Sequence, residues 1–323
     1  MKKLMNMTTT HFDLPRYSSN ADLKQALRKF DLDGLELMAG GTDERGIVAA
    51  DDVVGVHLKY FHHWVSIWNG DVPTALAEYR DWDAVQEVFG GRDQQAIVAT
   101  FQENIAFLNR YHPEYAVMHV SDVTIESCIT RQHVCTDEEV ITAQIELANQ
   151  VFSDPGWGVT LLFENLFWSG LTMERPELVD RLLQSVDYPN CGVMLDVGHL
   201  LHTNLALRSL DEGIDYIYQV LSRYDNLDFI KGVHLHQSLS GEYAKSVIDR
   251  PFTVSGDYQT RALAVLGHVL KVDSHQPFVS DRIPALIDYI NPEYLVFELI
   301  TSSREEHERL LAEQISCFNT SPS

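Results

Sequence analysis

Six apolar, strand-like runs in this chain each end in a residue that can hold a metal ion: VVGVH at His57, YAVMH at His119, VTLLFE at Glu164, CGVMLD at Asp196, FIKGVH at His234 and YLVFE at Glu298. A continuous apolar run of this length reads as a strand covered on both faces, the habit of parallel sheets. A polar residue directly after such a run sits at the C-terminal end of the strand, where parallel α/β folds place their chemistry. His199, Asp273 and His275 join the set from positions just beyond other runs. The nine together call for a fold that brings many strand ends to one point.

Strand candidates fall near 3–9, 33–38, 53–58, 115–120, 158–164, 191–196, 229–235 and 294–299. Amphipathic helical segments separate several of them. Thr136 with Glu139 makes a capping box ahead of one helix, Ser302 with Glu305 does the same before the last, and Ser19 or Asn20 can cap ADLKQALRKF. Alternating strands and helices predict a parallel sheet, and eight strands favour its closure into a (β/α)8 TIM barrel. With 323 residues, 45% of them hydrophobic, the chain reads as a single domain over 1–323.

Two connections are longer than turns, near 59–93 and 236–280. The first contains a helix read around Pro73 to Phe89. Long excursions in a compact domain commonly serve as lids or binding loops, and both leave the functional ends of strands, so both are expected to overhang the site.

Cys128, Cys135, Cys191 and Cys317 lack CxxC spacing, which argues against a disulfide framework or a thiolate zinc site. The formal net charge of −23 disfavours nucleic acid and anionic membranes as partners. No stretch approaches the ~20 apolar residues of a membrane span, and the N-terminal residues lack the apolar run of a secretory signal, so a cytoplasmic location is expected.

Imidazole and carboxylate ligands suit zinc or manganese. Nine ligands exceed what one ion can use, so the count reads as one to three divalent ions with two or three favoured. A carboxylate left unpaired after an apolar run is costly to bury, which favours ligand or catalytic roles for Glu164, Asp196 and Glu298 over structural ion pairs. His62 and His63 compete with His57. His236 competes with His234, because residues two apart in a strand share a face. Glu36, Tyr60, Trp64 and His236 are candidates for substrate contact, with core packing the plainer reading of the aromatics. Lys59, Arg131, Lys245, Arg250 and Arg282 are candidates for a phosphate, although a solvated surface charge is the plainer reading of any single one.

HLKY at 57–60, MHVSD at 118–122, FENLFWSG at 163–170, LDVGH at 195–199, GVHLHQS at 232–238, DSH at 273–275 and VFELI at 296–300 resemble, in order, the metal-binding motifs of the endonuclease IV family (AP endonuclease family 2). That family lies within the xylose isomerase-like TIM-barrel superfamily. The resemblance implies that Glu164 bridges two ions, that His57 and His119 complete the first, and that Asp196, His234 and Glu298 hold the second. It gives His199, Asp273 and His275 to a third. It also prefers His234 over His236. The loops depart from the family: VSD follows His119, NLFWSG replaces a small Gly-rich turn after Glu164, and the segment between His234 and Asp273 is much longer. Those loops contact DNA in the repair enzymes, so a non-DNA or altered substrate is expected.

The leading expectation is therefore a multinuclear phosphoester hydrolase. The alternative is a single-ion isomerase or epimerase of a sugar or sugar phosphate, with Glu164 and Glu298 moving a proton at carbon. Related isomerases place an acidic residue six positions after the strand-five glutamate, and this chain has Gly170 there. A binding protein without catalysis is the third reading. In each case the partner is a small sugar or phosphoester.

Overall fold

The computed structural model describes residues 1–38, 40–153 and 157–318. Eight strands, β1 (Lys2–Thr8), β2 (Gly34–Met38), β3 (Val53–His57), β4 (Tyr115–His119), β5 (Thr160–Glu164), β6 (Cys191–Asp196), β7 (Ile230–His234) and β8 (Tyr294–Phe297), close into a barrel. Each is parallel to its neighbours, and β8 pairs with β1. The fold is the expected (β/α)8 barrel with its helices outside. Among the described residues, no helix is long and apolar enough to cross a membrane.

Parity along the strands delivers the site. The barrel interior is packed by Leu4, Val54, Tyr115, Val117, Leu162, Met194, Tyr294 and Val296. Alternate residues of a strand point the same way, so the positions two beyond Val117, Leu162, Met194 and Val296 also face inward. Those positions are His119, Glu164, Asp196 and Glu298. Register brings them level, with His119 opposite Glu164 and Asp196 opposite His234. The odd-phase residues Leu161, Phe163, Leu195, Val233 and Phe297 pack in the larger core that includes the outer helices. Four ligands in the top layer, Glu164 and Asp196 buried and His119 and Glu298 partly open at the mouth, are held on a floor of apolar layers, which is how such barrels fill their interior.

Local chemistry sets the helix ends. Thr136 and Glu139 form the expected box, with Thr136 N–H donating to Glu139 Oε2 at 2.8 Å and Glu139 N–H donating to Thr136 Oγ1 at 3.2 Å. Ser19, not Asn20, caps the first helix. The last box is shifted by one: Ser303 caps Arg304–Ser316, while Ser302 donates to the Glu306 carboxylate at 2.8 Å. The consecutive Ser-Ser and Glu-Glu pairs offer both registers, and the structure takes the second.

The helix expected around Pro73 to Phe89 is two helices, Val72–Tyr79 and Trp82–Phe89. Arg80 breaks it with φ 75°, and Asp81 accepts the N–H groups of Asp83 and Ala84 at 3.0 and 2.8 Å to start the second. The other excursion carries helices Gly241–Asp249 and Tyr258–Val272. The two excursions meet where buried Arg261 donates to the Glu78 backbone oxygen at 2.7 Å and faces its carboxylate at 3.3 Å. An antiparallel ribbon that the sequence did not announce pairs Ser121–Asp122 with Ser169–Gly170. Gly170 has φ 134°, and a Cβ there would lie 2.3 Å from the Val120 oxygen, so this turn has no room for a side chain.

Candidate metal centre

All nine expected ligands come together at the C-terminal mouth of the barrel. Glu164 stands in the middle. Its Oε2 lies 3.1 Å from His57 Nε2 and 3.4 Å from His119 Nε2, and its Oε1 lies 3.3 Å from His199 Nδ1 and 3.5 Å from His234 Nδ1. Around it the ligand atoms fall into four overlapping groups, each with all members within 4.8 Å: His57, His119 and Glu164; Glu164, Asp196 and His234; Asp196, His236 and Glu298; and His199, His236, Asp273 and His275.

The backbone and neighbouring side chains orient these rings. His57 Nδ1 lies 2.8 Å from the Leu58 carbonyl, which leaves Nε2 for the cluster. His275 uses Nδ1 on the Glu298 carbonyl at 3.2 Å and turns Nε2 to Asp273 at 2.9 Å. His199 bridges the groups, with Nδ1 2.9 Å from the Asn165 carbonyl and Nε2 3.1 Å from Asp273. Partners of this kind behind a ligating histidine fix its tautomer and strengthen it as a ligand.

Divalent cations fit these residues. His234 Nδ1 and Glu298 Oε2 are buried without any hydrogen-bond partner, a costly condition that a bound cation relieves. His234 Nδ1 lies 3.3 Å from Glu298, 3.5 Å from Glu164 and 3.7 Å from Asp196, so three carboxylates converge on one imidazole nitrogen. The donor set is hard and borderline, as zinc or manganese prefers.

Electrostatics show how the cluster is balanced by protons alone. Burial opposes charge on Glu164, but His119 and His234 outweigh it and hold the carboxyl well below its usual range. Asp273 is likewise held low against its burial by His275 and His199. Burial works against the charge of His275, yet the Asp273 carboxylate prevails and raises it to about 9. His119 goes the other way: burial dominates the pull of Glu164 and lowers it to about 4. Glu298 is raised, chiefly by burial.

The competing candidates separate cleanly. His63 is turned away and buried, its Nδ1 2.7 Å from Asp122 and its Nε2 2.8 Å from Ser66 Oγ, so it braces the loop and does not replace His57. His62 packs edge-on against Tyr60 outside the cluster, with ring centroids 5.5 Å apart. Between His234 and His236 the choice dissolves, because both face the cluster and His236 Nε2 lies 2.9 Å from Asp196.

The substrate candidates divide. Tyr60 stacks on His119 at 4.3 Å and keeps 36% of its surface exposed, so it borders the mouth. Trp64 is buried, donates Nε1–H to the Ser121 carbonyl at 3.0 Å and packs on Trp68, in line with the core-packing reading of this aromatic. Glu36 lies inside the barrel, 2% exposed, with its carboxylate on His234 Nε2. Among the phosphate candidates, Arg282 pairs with Asp211 and Asp215, and Arg131 donates to the His202 and Phe167 carbonyls.

Two supporting residues escaped the sequence reading. Asn165 grips Asp196, donating from Nδ2 to its carbonyl at 3.0 Å and accepting its N–H at 2.9 Å, and Ser238 donates to Asp273 Oδ1 at 2.9 Å. Both sit within or beside quoted motifs, but hydroxyl and amide side chains give no periodic signal.

No family model matches the sequence, and no curated protein matches it. Solved structures share the fold. A "D-tagatose 3-epimerase-like protein" matches with TM-score 0.52 at 12% identity, over 99% of this chain and 98% of the other. A structure described as "AsfvAP:AG" matches with TM-score 0.51 at 12% identity, over 98% of each chain. At that identity the likeness concerns the barrel fold alone.

Proposed function

We propose that this xylose isomerase-like barrel is a divalent-metal-dependent enzyme holding more than one ion, and that it hydrolyses a phosphoester of a small molecule. The observation that carries the reading is the group formed by His199, His236, Asp273 and His275. His275 and His199 both place Nε2 on Asp273 Oδ2, at 2.9 and 3.1 Å, and His236 stacks on His275 at 3.9 Å. A single-ion site has no use for this group. When bound, paired divalent ions supply a nucleophile at neutral pH and stabilise charge on phosphoryl oxygens. Glu164 would be shared between the first two groups, Glu298 would complete the second, and Tyr60 would border the entry. The excursions at 59–93 and 236–280 would shield the mouth from bulk water and exclude a duplex.

A second reading is the isomerisation or epimerisation of a sugar or sugar phosphate. It is favoured by the likeness to the epimerase-like structure, and on the comparisons alone it is the better supported of the two. Here Glu164, Asp196, His234 and Glu298 would hold one ion, while Glu164 and Glu298 exchange a proton with substrate carbon.

Elemental analysis of purified protein, with phosphodiester and ketose assays on the same sample, separates the readings. Two or more ions per chain with phosphodiester turnover is expected. One ion per chain with ketose turnover would replace the first reading by the second.

A further inference from the structure

We infer that Glu36, held in turn by Tyr115, is a positioning residue that commits His234 to metal binding through Nδ1; this rests on the metal-dependent reading above. Glu36 projects from β2 into the barrel beneath the ligand layer. Its Oε1 and Oε2 lie 2.9 and 3.2 Å from His234 Nε2. Tyr115 on β4 donates its hydroxyl to Glu36 Oε2 at 2.7 Å. All three side chains are buried, and His234 has no exposed surface.

The consequence follows from which nitrogen is used. With Nε2–H donated to a carboxylate, Nδ1 is the only ring atom left for the cluster. That atom has no hydrogen-bond partner and lies within 3.7 Å of carboxylates from three different strand ends. A metal ion bound there would take the place of the second ring proton among the three carboxylates. The carboxylate behind the ring also makes the imidazole a stronger ligand than a carbonyl would, as at His57.

Gly55 makes the arrangement sterically feasible. It lies opposite Tyr115 in the β3–β4 register, and a Cβ there would be 2.0 Å from Tyr115 Cζ and 2.4 Å from its hydroxyl oxygen. Residues of β2, β3 and β4 thus orient a ligand carried by β7 across the barrel.

The test uses full-length protein and Zn2+ in competition with a chromophoric chelator. Glu36→Gln is expected to weaken zinc binding by about 10- to 100-fold. Long-range 15N–1H spectra of zinc-loaded wild type should show His234 protonated at Nε2 and bound at Nδ1, and the variant should lose that single pattern. Tyr115→Phe, which keeps the ring and the carboxylate, should weaken binding less and shift the His234 Nε2–H resonance. If Glu36→Gln does not fold, Tyr115→Phe decides alone. Wild-type affinity and spectrum in the folded variants would overturn the positioning role while leaving the metal centre standing. A wild type that binds no zinc would remove the functional reading and this inference together.

Discussion

At the scale of single residues, the ligands and their supports were unequally visible. Glu164 and Asp196 stand out because a carboxylate after four apolar residues has no cheap structural explanation. His275 matters most for function, since it belongs to the group that a one-ion enzyme would not need. His275→Ala is expected to remove about one ion per chain and cut phosphodiester turnover at least tenfold, a loss typical of disturbed metal sites. Unchanged turnover with unchanged metal content would discard the His199, Asp273 and His275 group as a metal site. Gly55 was not legible as special, because its constraint comes from a tyrosine on another strand. Gly55→Ala should destabilise the metal-free protein by roughly 1–3 kcal/mol, the usual penalty for overpacking a tight interior, as read from urea denaturation.

At the scale of elements, strands such as β4, β5, β6 and β8 were readable because both their faces are buried, so the run is apolar and ends abruptly at the polar mouth. The Ser121–Asp122 ribbon was not, since two residues carry no periodicity. The split at Arg80 was hidden for a related reason: the apolar spacing continues through it, and only the cap chemistry of Asp81 marks the new start. The excursions hold each other through Arg261 and Glu78, at 3% and 6% exposure. Burial raises the Glu78 carboxyl, and Arg261 and the Ile125 N–H work against that shift. Glu78→Ala leaves a buried guanidinium without its counter-charge, a change worth about 3–5 kcal/mol in comparable pairs. Faster amide exchange in Val72–Tyr79 and Tyr258–Val272, with the barrel strands unaffected, is the expected result. Uniform exchange across the chain would show that the pair stabilises the barrel itself.

At the scale of the whole molecule, a chain of net charge −23 concentrates imidazoles and carboxylates at one end of its barrel, and protons and metal ions compete for that end. His275 is raised to about 9 in the metal-free fold, with burial opposing and the Asp273 carboxylate prevailing. Its unfolded value is about 6.5. A raised histidine contributes stability fully below its unfolded value and loses it as pH climbs through the folded one, here on the order of 3 kcal/mol between about pH 6.5 and 9. His119, lowered to about 4 mainly by burial, acts on the acid side, where the unfolded chain binds the proton first and stability falls from about pH 6.5 downward. Metal reverses the alkaline trend. Ligation requires neutral imidazoles, so affinity rises as protons leave, and saturating zinc at 100 times its dissociation constant adds about 2.7 kcal/mol. Calorimetry should therefore find the melting temperature of metal-free protein falling between pH 6.5 and 9, while the gain on adding zinc grows over the same interval. A zinc-induced gain that does not change with pH would mean that the ion binds away from these histidines, and the metal centre would have to be sought elsewhere in the molecule.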